Sequence, residues 1–318
     1  MTASRVGIPA LFVVGGLCQY LGAAIGVFLF DTLDPAVVAW LRALGAAAIL
    51  LAWRRPWRSK VGKRPRWTRR KVMLATLFGL ATVGMNVMFY EAIDRIPLGA
   101  AVAIEFLGPV AVAAFGSRRA RDVVALALVV IGVIAIASSQ FDGGSVGLPG
   151  VGFALASAAL WAAYILLGKR VADAGNGMDD LAVGMAGASV LLAPFLLGPE
   201  LVANAEVFLE SRVWILGLGV GLLSSVVPYV LDQVVLVRIG RARFALLLAL
   251  LPTTATAVGA VVLSQTPTAA EAFGILAVVI AVVIGGSTAR HRSVQRSSVR
   301  RDSSVRRETA APDDIPPL

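Results

Sequence analysis

Residues 54–71 read RRPWRSKVGKRPRWTRRK, and ten of them are arginine or lysine. Long apolar stretches flank this segment, at 35–53 before it and at 72–93 after it. An apolar stretch of roughly 20 residues crosses ~30 Å of hydrocarbon as an α-helix. The sequence therefore predicts a basic loop at one face of a membrane, between two membrane-spanning helices.

The same alternation continues along the chain and predicts an all-α polytopic membrane protein with ten transmembrane helices. They are expected at 8–30, 35–53, 72–93, 97–116, 122–139, 149–168, 180–198, 213–237, 244–263 and 269–288. Every second gap is rich in basic residues, so that 26 of the 29 lysines and arginines fall on one side. Because cytoplasmic loops carry the positive charge, both chain ends are predicted to be cytoplasmic.

The composition excludes several classes of protein. The chain is 58% hydrophobic and 15% charged, unlike a soluble domain. Its net charge of +10 lies beside the helices, where it attracts anionic lipid headgroups of the bilayer, so we expect no nucleic-acid partner. Cys18 is the single cysteine and His291 in the tail is the single histidine. We therefore expect no cofactor, no metal site and no enzymatic activity.

The C-terminal segment 289–318 is a separate polar region. It contains two similar copies, SSVRRD at 297–302 and SSVRRE at 303–308. Such a composition cannot bury enough apolar area to fold, which predicts a disordered basic cytoplasmic tail that touches lipid. The alternative is a membrane contact controlled by phosphorylation of Ser303.

Similar residues recur in the two halves of the chain at a nearly constant separation. The Arg-Ile pairs at 95–96 and 238–239 are 143 residues apart, and so are Pro109 and Pro252. Five spans per half is an odd number, so the second half must enter the membrane in the opposite orientation. This arrangement is typical of secondary transporters, whose substrate site lies near the midplane between the repeats. The repeats are assigned to residues 1–145 and 146–288.

Three ionisable residues lie well inside the predicted spans: Arg42, Glu105 and Asp232. An embedded charge costs about 2.5–3.5 kcal/mol and usually faces the bundle interior or a water-filled cavity. At the helical rise, Arg42 and Glu105 lie roughly 10 and 12 Å from the same outer face. The uncharged polar residues at comparable positions are Gln19, Asn86 and Tyr90. For each, the alternative is a hydrogen bond or ion pair that only holds helices together.

Three prolines inside the spans are predicted to kink them: Pro109, Pro228 and Pro252. A proline cannot donate to the carbonyl four residues back, which for Pro109 is that of Glu105 and for Pro228 that of Ser224. Kinked helices are tolerated at membrane depth where protein or a cavity takes up the freed groups.

Two stretches resemble a known family. Residues 84–90 read GMNVMFY and residues 96–109 read IPLGAAVAIEFLGP, followed by SRR at 117–119. Trp161 and Tyr164 in the sixth span extend the match. These features resemble the EamA group of drug/metabolite transporters, in particular its branch that exports threonine and homoserine across the bacterial inner membrane.

The resemblance implies two inverted five-helix EamA repeats around a central cavity. It places a polar cavity along the third, fourth and eighth spans, which here holds Asn86, Tyr90, Glu105 and Tyr229. Two carboxylates of the exporter pattern are missing, because this chain has Leu251 before Pro252 and Gln265 near the end of the ninth span. These departures concern the substrate and the coupling ion rather than the fold.

An exported amino acid carries a carboxylate and an ammonium, and both need partners when they leave water. We assign the carboxylate to Arg42, in bidentate geometry, and the ammonium to Glu105, with Asp232 as a weaker candidate. Desolvation favours the neutral form of a carboxyl group, so Glu105 is also assigned proton coupling. The expected function is efflux of small amino acids from a bacterium by proton antiport. The alternatives are an exporter of another class of drug or metabolite and an uncoupled channel or facilitator.

Overall fold

The computed structural model describes residues 3–57, 67–115, 120–139, 147–172 and 177–285. These residues form helices joined by short connections, and no β-strand occurs among them. The predicted tail at 289–318 lies outside the described residues, as does the centre of the basic loop.

Twelve α-helices follow one another in the described part of the chain. They are α1 (Ala3–Val27), α2 (Pro35–Arg54), α3 (Arg69–Ile93), α4 (Leu98–Glu105), α5 (Leu107–Phe115), α6 (Ala120–Ser139), α7 (Gly147–Ala172), α8 (Gly177–Asn204), α9 (Ser211–Gly221), α10 (Val227–Leu247), α11 (Leu250–Val262) and α12 (Ala269–Gly285). A 3₁₀ turn, Ala205–Leu209, precedes α9, and a π-helical turn, Leu222–Val226, joins α9 to α10.

Eight helical stretches of the described chain are long and apolar enough to span a membrane. They are Gly7–Val27, Pro35–Arg54, Arg69–Ile93, Leu98–Phe115, Ala120–Ser139, Gly147–Val171, Met178–Leu209 and Ser211–Ile239. The prediction of an all-helical membrane protein is confirmed. At the ninth and tenth predicted spans lie the shorter apolar helices α11 and α12.

The region between the eighth and ninth predicted spans differs from the sequence-based expectation. The basic residues at 238–243 predict a gap, but α10 continues without a break to Leu247. No proline occurs in that gap, and a single glycine does not end a helix on its own. The interruption falls instead just before α11, whose third residue is Pro252. This shift explains why α11 is only 13 residues long.

Local side-chain signals set the ends of several helices. Asp34 caps α2, since its carboxylate accepts a hydrogen bond from the N–H of Ala36 at 2.9 Å. Thr268 and Glu271 form a reciprocal capping box at the start of α12, with N–H to side-chain oxygen distances of 2.8 and 3.2 Å.

The three prolines predicted to kink spans all lie close to interruptions of the helical backbone. Pro109 follows the break between α4 and α5 at Phe106. Pro228 follows the π-helical turn, and Pro252 follows the break before α11. Because α4 ends at Glu105, the Glu105 carboxyl group lies directly at one of these breaks.

Pairs of glycines let helices distant in sequence approach closely. A Cβ atom built on Gly132 of α6 would lie 2.7 Å from the carbonyl oxygen of Gly274 of α12. A Cβ atom on Gly274 would in turn lie 2.6 Å from the carbonyl oxygen of Gly132. Both distances are too short for a real contact, so these helices meet backbone to backbone, as small residues allow in membranes.

We predict that Gly132→Ala destabilises the bundle, because its new methyl group meets a backbone carbonyl that cannot rotate away. Overpacking of this kind costs about 1–3 kcal/mol. Gly152→Ala is the matched control, since nothing lies within 4 Å of the position that its new methyl group would take. Thermal unfolding of the purified protein in detergent should show a lower midpoint for Gly132→Ala only. Equal midpoints for the two variants would contradict the close packing of α6 and α12.

Candidate substrate site

Arg42 is buried on α2, with 5% of its surface exposed. Its Nε donates a hydrogen bond to Ser225 Oγ at 3.0 Å, and its Nη2 donates to the carbonyl of Ser224 at 2.8 Å. In an α-helix, the donor to that carbonyl would be the N–H of residue 228, which is a proline. The guanidinium therefore satisfies a carbonyl that the interrupted helix leaves open.

Arg42 keeps capacity for a further ligand. A guanidinium has five N–H donors, and the two contacts to Ser225 and Ser224 use two of them. The Tyr90 ring lies beside the guanidinium, with 5.6 Å between Cζ and the ring centroid. This distance is typical of a cation–π interaction, which stabilises a buried cation without using its donors.

Glu105 lies at the end of α4 and is 9% exposed. Its Oε1 accepts a hydrogen bond from the hydroxyl of Ser157 on α7. Arg42 is close enough to interact electrostatically with Glu105, yet no ion pair joins these two described residues. A buried cation and a buried anion thus face the same region, and each is held by serine rather than by the other.

Asn86 and Tyr90 lie one turn apart on α3, and they are 2% and 0% exposed. The Tyr90 hydroxyl and the Asn86 Nδ2 have no hydrogen-bond partner among the described residues. Ser224 and Arg42 are polar neighbours of the Tyr90 hydroxyl but lie outside hydrogen-bonding geometry. Buried polar groups without a partner are rare in native structures, so these two atoms mark places where a ligand can bond.

All four tyrosines of the chain surround this region. Tyr20 on α1 and Tyr229 on α10 each interact electrostatically with Arg42, Glu105 and Asp232. Tyr164 on α7 interacts with Tyr229 and Asp232. We define the central cluster as Tyr20, Arg42, Asn86, Tyr90, Glu105, Ser157, Tyr164, Ser224, Ser225, Tyr229 and Asp232.

Contacts between α4, α11 and the α11–α12 connection close one end of the central cluster, and toward the other end its side chains are more exposed. Glu105 is the last residue of α4 and Leu98 is the first. At this first residue, the Leu98 N–H donates a hydrogen bond to Gln265 Oε1 at 2.9 Å. Gly99 packs there against Thr256 of α11. In the opposite direction Tyr229 and Asp232 are half-buried, whereas Tyr90 is fully enclosed. Asp232 has no hydrogen bond or ion pair with another described residue.

The structure brings together most of the residues singled out from the sequence. The predicted residues that fall within the central cluster are Arg42, Asn86, Tyr90, Glu105, Tyr229 and Asp232. Gln19 differs, because its backbone carbonyl accepts a hydrogen bond from Ser224 Oγ at 3.0 Å while its half-buried side chain bonds to no described residue.

Sequence reasoning identified the free carbonyl of Ser224 but missed the side chains of the three serines in the central cluster. A serine in an apolar span carries no charge and gives no signal of its own. Ser157 lies four residues before Trp161 and seven before Tyr164, which places all three on one face of α7. That shared face was the sequence signal that could have identified Ser157 as a member of the site.

The comparisons with known proteins agree with this architecture. Residues 148–285 match the sequence model of the EamA-like transporter family. The chain is 35% identical over 268 residues to the threonine/homoserine exporter RhtA of Salmonella typhimurium strain SL1344. The aligned region covers 84% of this chain and 86% of the relative. It is 34% identical over 273 residues to RhtA of Escherichia coli strain K12, which covers 86% and 88%.

A solved crystal structure shares the fold, with a TM-score of 0.57 at 17% identity over 90% of this chain and 98% of the other. Together with the sequence matches, the helical bundle defines a membrane transport protein. The chain belongs to the EamA-like transporter family, which confirms the resemblance found in its sequence.

We predict that Tyr90→Phe leaves the thermal stability unchanged or slightly higher, because the hydroxyl it removes has no partner in the fold. Thr82→Val on the same helix provides the contrast. The Thr82 side chain is equally buried, but its hydroxyl donates to the Phe78 carbonyl at 2.8 Å. Its removal should cost about 0.5–1.5 kcal/mol. Equal losses in the unfolding midpoint of both variants would show that the Tyr90 hydroxyl has a partner in the protein.

Proposed function

We propose that this protein exports small amino acids of the threonine or homoserine type across the inner membrane of a bacterium, in exchange for protons. The observation that carries the proposal is the separation of charge in the central cluster. Arg42 and Glu105 are buried and within electrostatic range, but they do not pair. A zwitterionic amino acid supplies the partner that each of them lacks.

In the proposed complex, the substrate carboxylate binds the free donors of Arg42 as a bidentate pair. The substrate ammonium binds the carboxylate of Glu105. The unpartnered Tyr90 hydroxyl and Asn86 amide then face the side chain of the substrate, where a hydroxyl group like that of threonine can bond to them. Half-buried Asp232 is placed to meet the ammonium first, before the substrate reaches Glu105.

The names of the relatives support this substrate class, since two of them are threonine/homoserine exporters. The proposed activity is transport without catalysis. An exporter of a different class of drug or metabolite remains the second candidate, because Leu251 and Gln265 replace carboxylates of the exporter pattern.

We further infer ten membrane spans in two inverted repeats, 1–145 and 146–288. The reciprocal contact between Gly132 and Gly274 supports the inversion, because these residues are 142 positions apart and meet as equivalents would across a twofold axis. The family match at 148–285 supports the boundary, since it falls inside the second proposed repeat.

Two further close contacts fit the same relation. Gly79 and Gly184 bring α3 against α8, while Gly221 and Gly45 bring α9 against α2. Gly79 and Gly221 are 142 residues apart, and Gly45 and Gly184 are 139 apart. Both separations lie within four residues of that of the proline pair, 143 residues.

With both chain ends in the cytoplasm, the closed end of the central cluster at Leu98 and Gln265 is the outer one. The half-buried side chains of Tyr229 and Asp232 then lie toward the cytoplasm. We therefore infer an inward-facing arrangement, in which substrate enters from the cell interior. Alternating access requires that the outer contact between α4 and the α11–α12 connection opens next.

The decisive experiment measures labelled L-threonine in proteoliposomes that contain the purified full-length protein. Saturable counterflow is expected of a carrier and is absent from a channel. A proton gradient should drive accumulation against the threonine gradient. Counterflow of an unrelated metabolite without any threonine flux would favour the second candidate.

We predict that Glu105→Gln abolishes threonine transport driven by a proton gradient while the protein still inserts in the membrane. The amide preserves the shape of the side chain but cannot exchange a proton. Glu210→Gln is the matched control, because Glu210 is an exposed carboxylate before α9. Gradient-driven transport by Glu105→Gln at the wild-type rate would overturn the coupling role.

We predict that Arg42→Lys raises the threonine concentration for half-maximal transport at least tenfold. Lysine keeps the charge, but it loses the planar fork that binds a carboxylate through two parallel hydrogen bonds. Arg212→Lys, at an exposed position of α9, is the control for the effect of replacing an arginine by a lysine outside the site. An unchanged half-maximal concentration would contradict the assignment of the substrate carboxylate to Arg42.

A further inference from the structure

Ser157 stands between the carboxyl group of Glu105 and the backbone of α3. Its side chain is fully buried, at 0% exposure. Its Oγ is hydrogen-bonded to Glu105 Oε1 and lies 3.0 Å from the carbonyl oxygen of Met85. A hydroxyl group has one hydrogen to donate and two lone pairs that accept. Ser157 therefore cannot donate to both oxygens at the same time.

The two possible orientations of this hydroxyl correspond to the two protonation states of Glu105. When Glu105 is ionised, the Ser157 hydroxyl donates to the carboxylate. When Glu105 is protonated, its own O–H donates to Ser157 Oγ, and the Ser157 hydrogen turns to the Met85 carbonyl. In either state no polar hydrogen of the group is left without an acceptor, which avoids the penalty for a buried unpaired donor.

We propose that Ser157 is the positioning residue that allows Glu105 to take up and release a proton while it is buried. The proposal rests on the proton exchange of the proposed function and assigns the group that makes it feasible at this depth. One proton from the aqueous phase forms an O–H bond with a carboxylate oxygen of Glu105, and the same bond breaks on release. Ser157 rotates but keeps its own hydrogen throughout.

The surroundings of Glu105 offer no other hydrogen-bond partner of this kind within the described part of the chain. The charged or titratable groups that face it are Arg42 from α2, Tyr20 from α1 and Tyr229 from α10. On the packed helices, α3 carries Tyr90 and α7 carries Tyr164, while α5 and α11 have no charged or titratable residue. The other charged residues of α3 are Glu91, which pairs with Arg95, and the basic residues of its first turn, and those of α7 lie in its last turn. Those of α6 lie in its first turn, away from the break at Glu105.

The test is an infrared titration of the purified full-length protein, which needs no substrate. The stretching band of a protonated carboxyl group belongs to Glu105 if Glu105→Gln removes it. In Ser157→Ala the ionised form loses a charge-assisted hydrogen bond, and the protonated form loses a weaker neutral one. The midpoint of the band should therefore rise by about one pH unit. Ser157→Cys, which fills the site but is a weak donor, should shift it in the same direction.

Ser157→Thr, which retains the hydroxyl group, should keep the wild-type midpoint. In proteoliposomes, Ser157→Ala should lose at least tenfold of the transport driven by a proton gradient. Wild-type midpoints in both the Ala and Cys variants would overturn the proposal, as would a Glu105 band that never titrates. If the wild-type protein moves no threonine, the proposed substrate fails, and the infrared result still decides the role of Ser157.

Discussion

The hydrogen bonds of the Arg42 guanidinium are the interaction on which the centre of this bundle depends. A buried cation needs partners, and an open backbone carbonyl beside a proline needs a donor. Arg42 on α2 and the carbonyl of Ser224 before Pro228 satisfy each other at 2.8 Å. The buried charge of Arg42 and the helix interruption at Pro228 therefore stabilise each other, and each would cost free energy in the membrane without the other. This contact also ties the first half of the chain to the second.

Because serine and a backbone carbonyl hold Arg42, its charge is not neutralised by a carboxylate. Glu105 is likewise bound to a neutral hydroxyl, that of Ser157. Direct pairing of the two would have produced a stable but inert ion pair, with no reason to bind a zwitterion. Keeping them apart leaves a site with one positive and one negative end. That polarity is what the proposed substrate class requires.

The sequence predicted the helical membrane fold and all three charged members of the central cluster, because a charged residue inside an apolar span is easy to recognise and usually functional. It also located the prolines that lie near the backbone interruptions. It placed the gap between the eighth and ninth spans wrongly, since arginines that mark a membrane face do not end a helix, and α10 runs through them. The serine hydroxyl groups were not predicted because their importance comes from neighbours on other helices, such as Met85 and Glu105 beside Ser157. Asn86 and Tyr90 each have a buried polar atom without a hydrogen-bond partner. The lack of a partner depends on how the helices pack and cannot be derived from the spacing of residues along the sequence.

The contact between Leu98 and Gln265 at one end of the bundle has a consequence of its own. The bond from the Leu98 N–H ends on the amide oxygen of Gln265, a group that neither gains nor loses a proton in water at any pH a cell meets. Acidification of the surroundings therefore leaves this seal as strong as before. In the proposed transport cycle, opening of this contact therefore depends on the occupant of the central cluster and not on protonation of the contact itself.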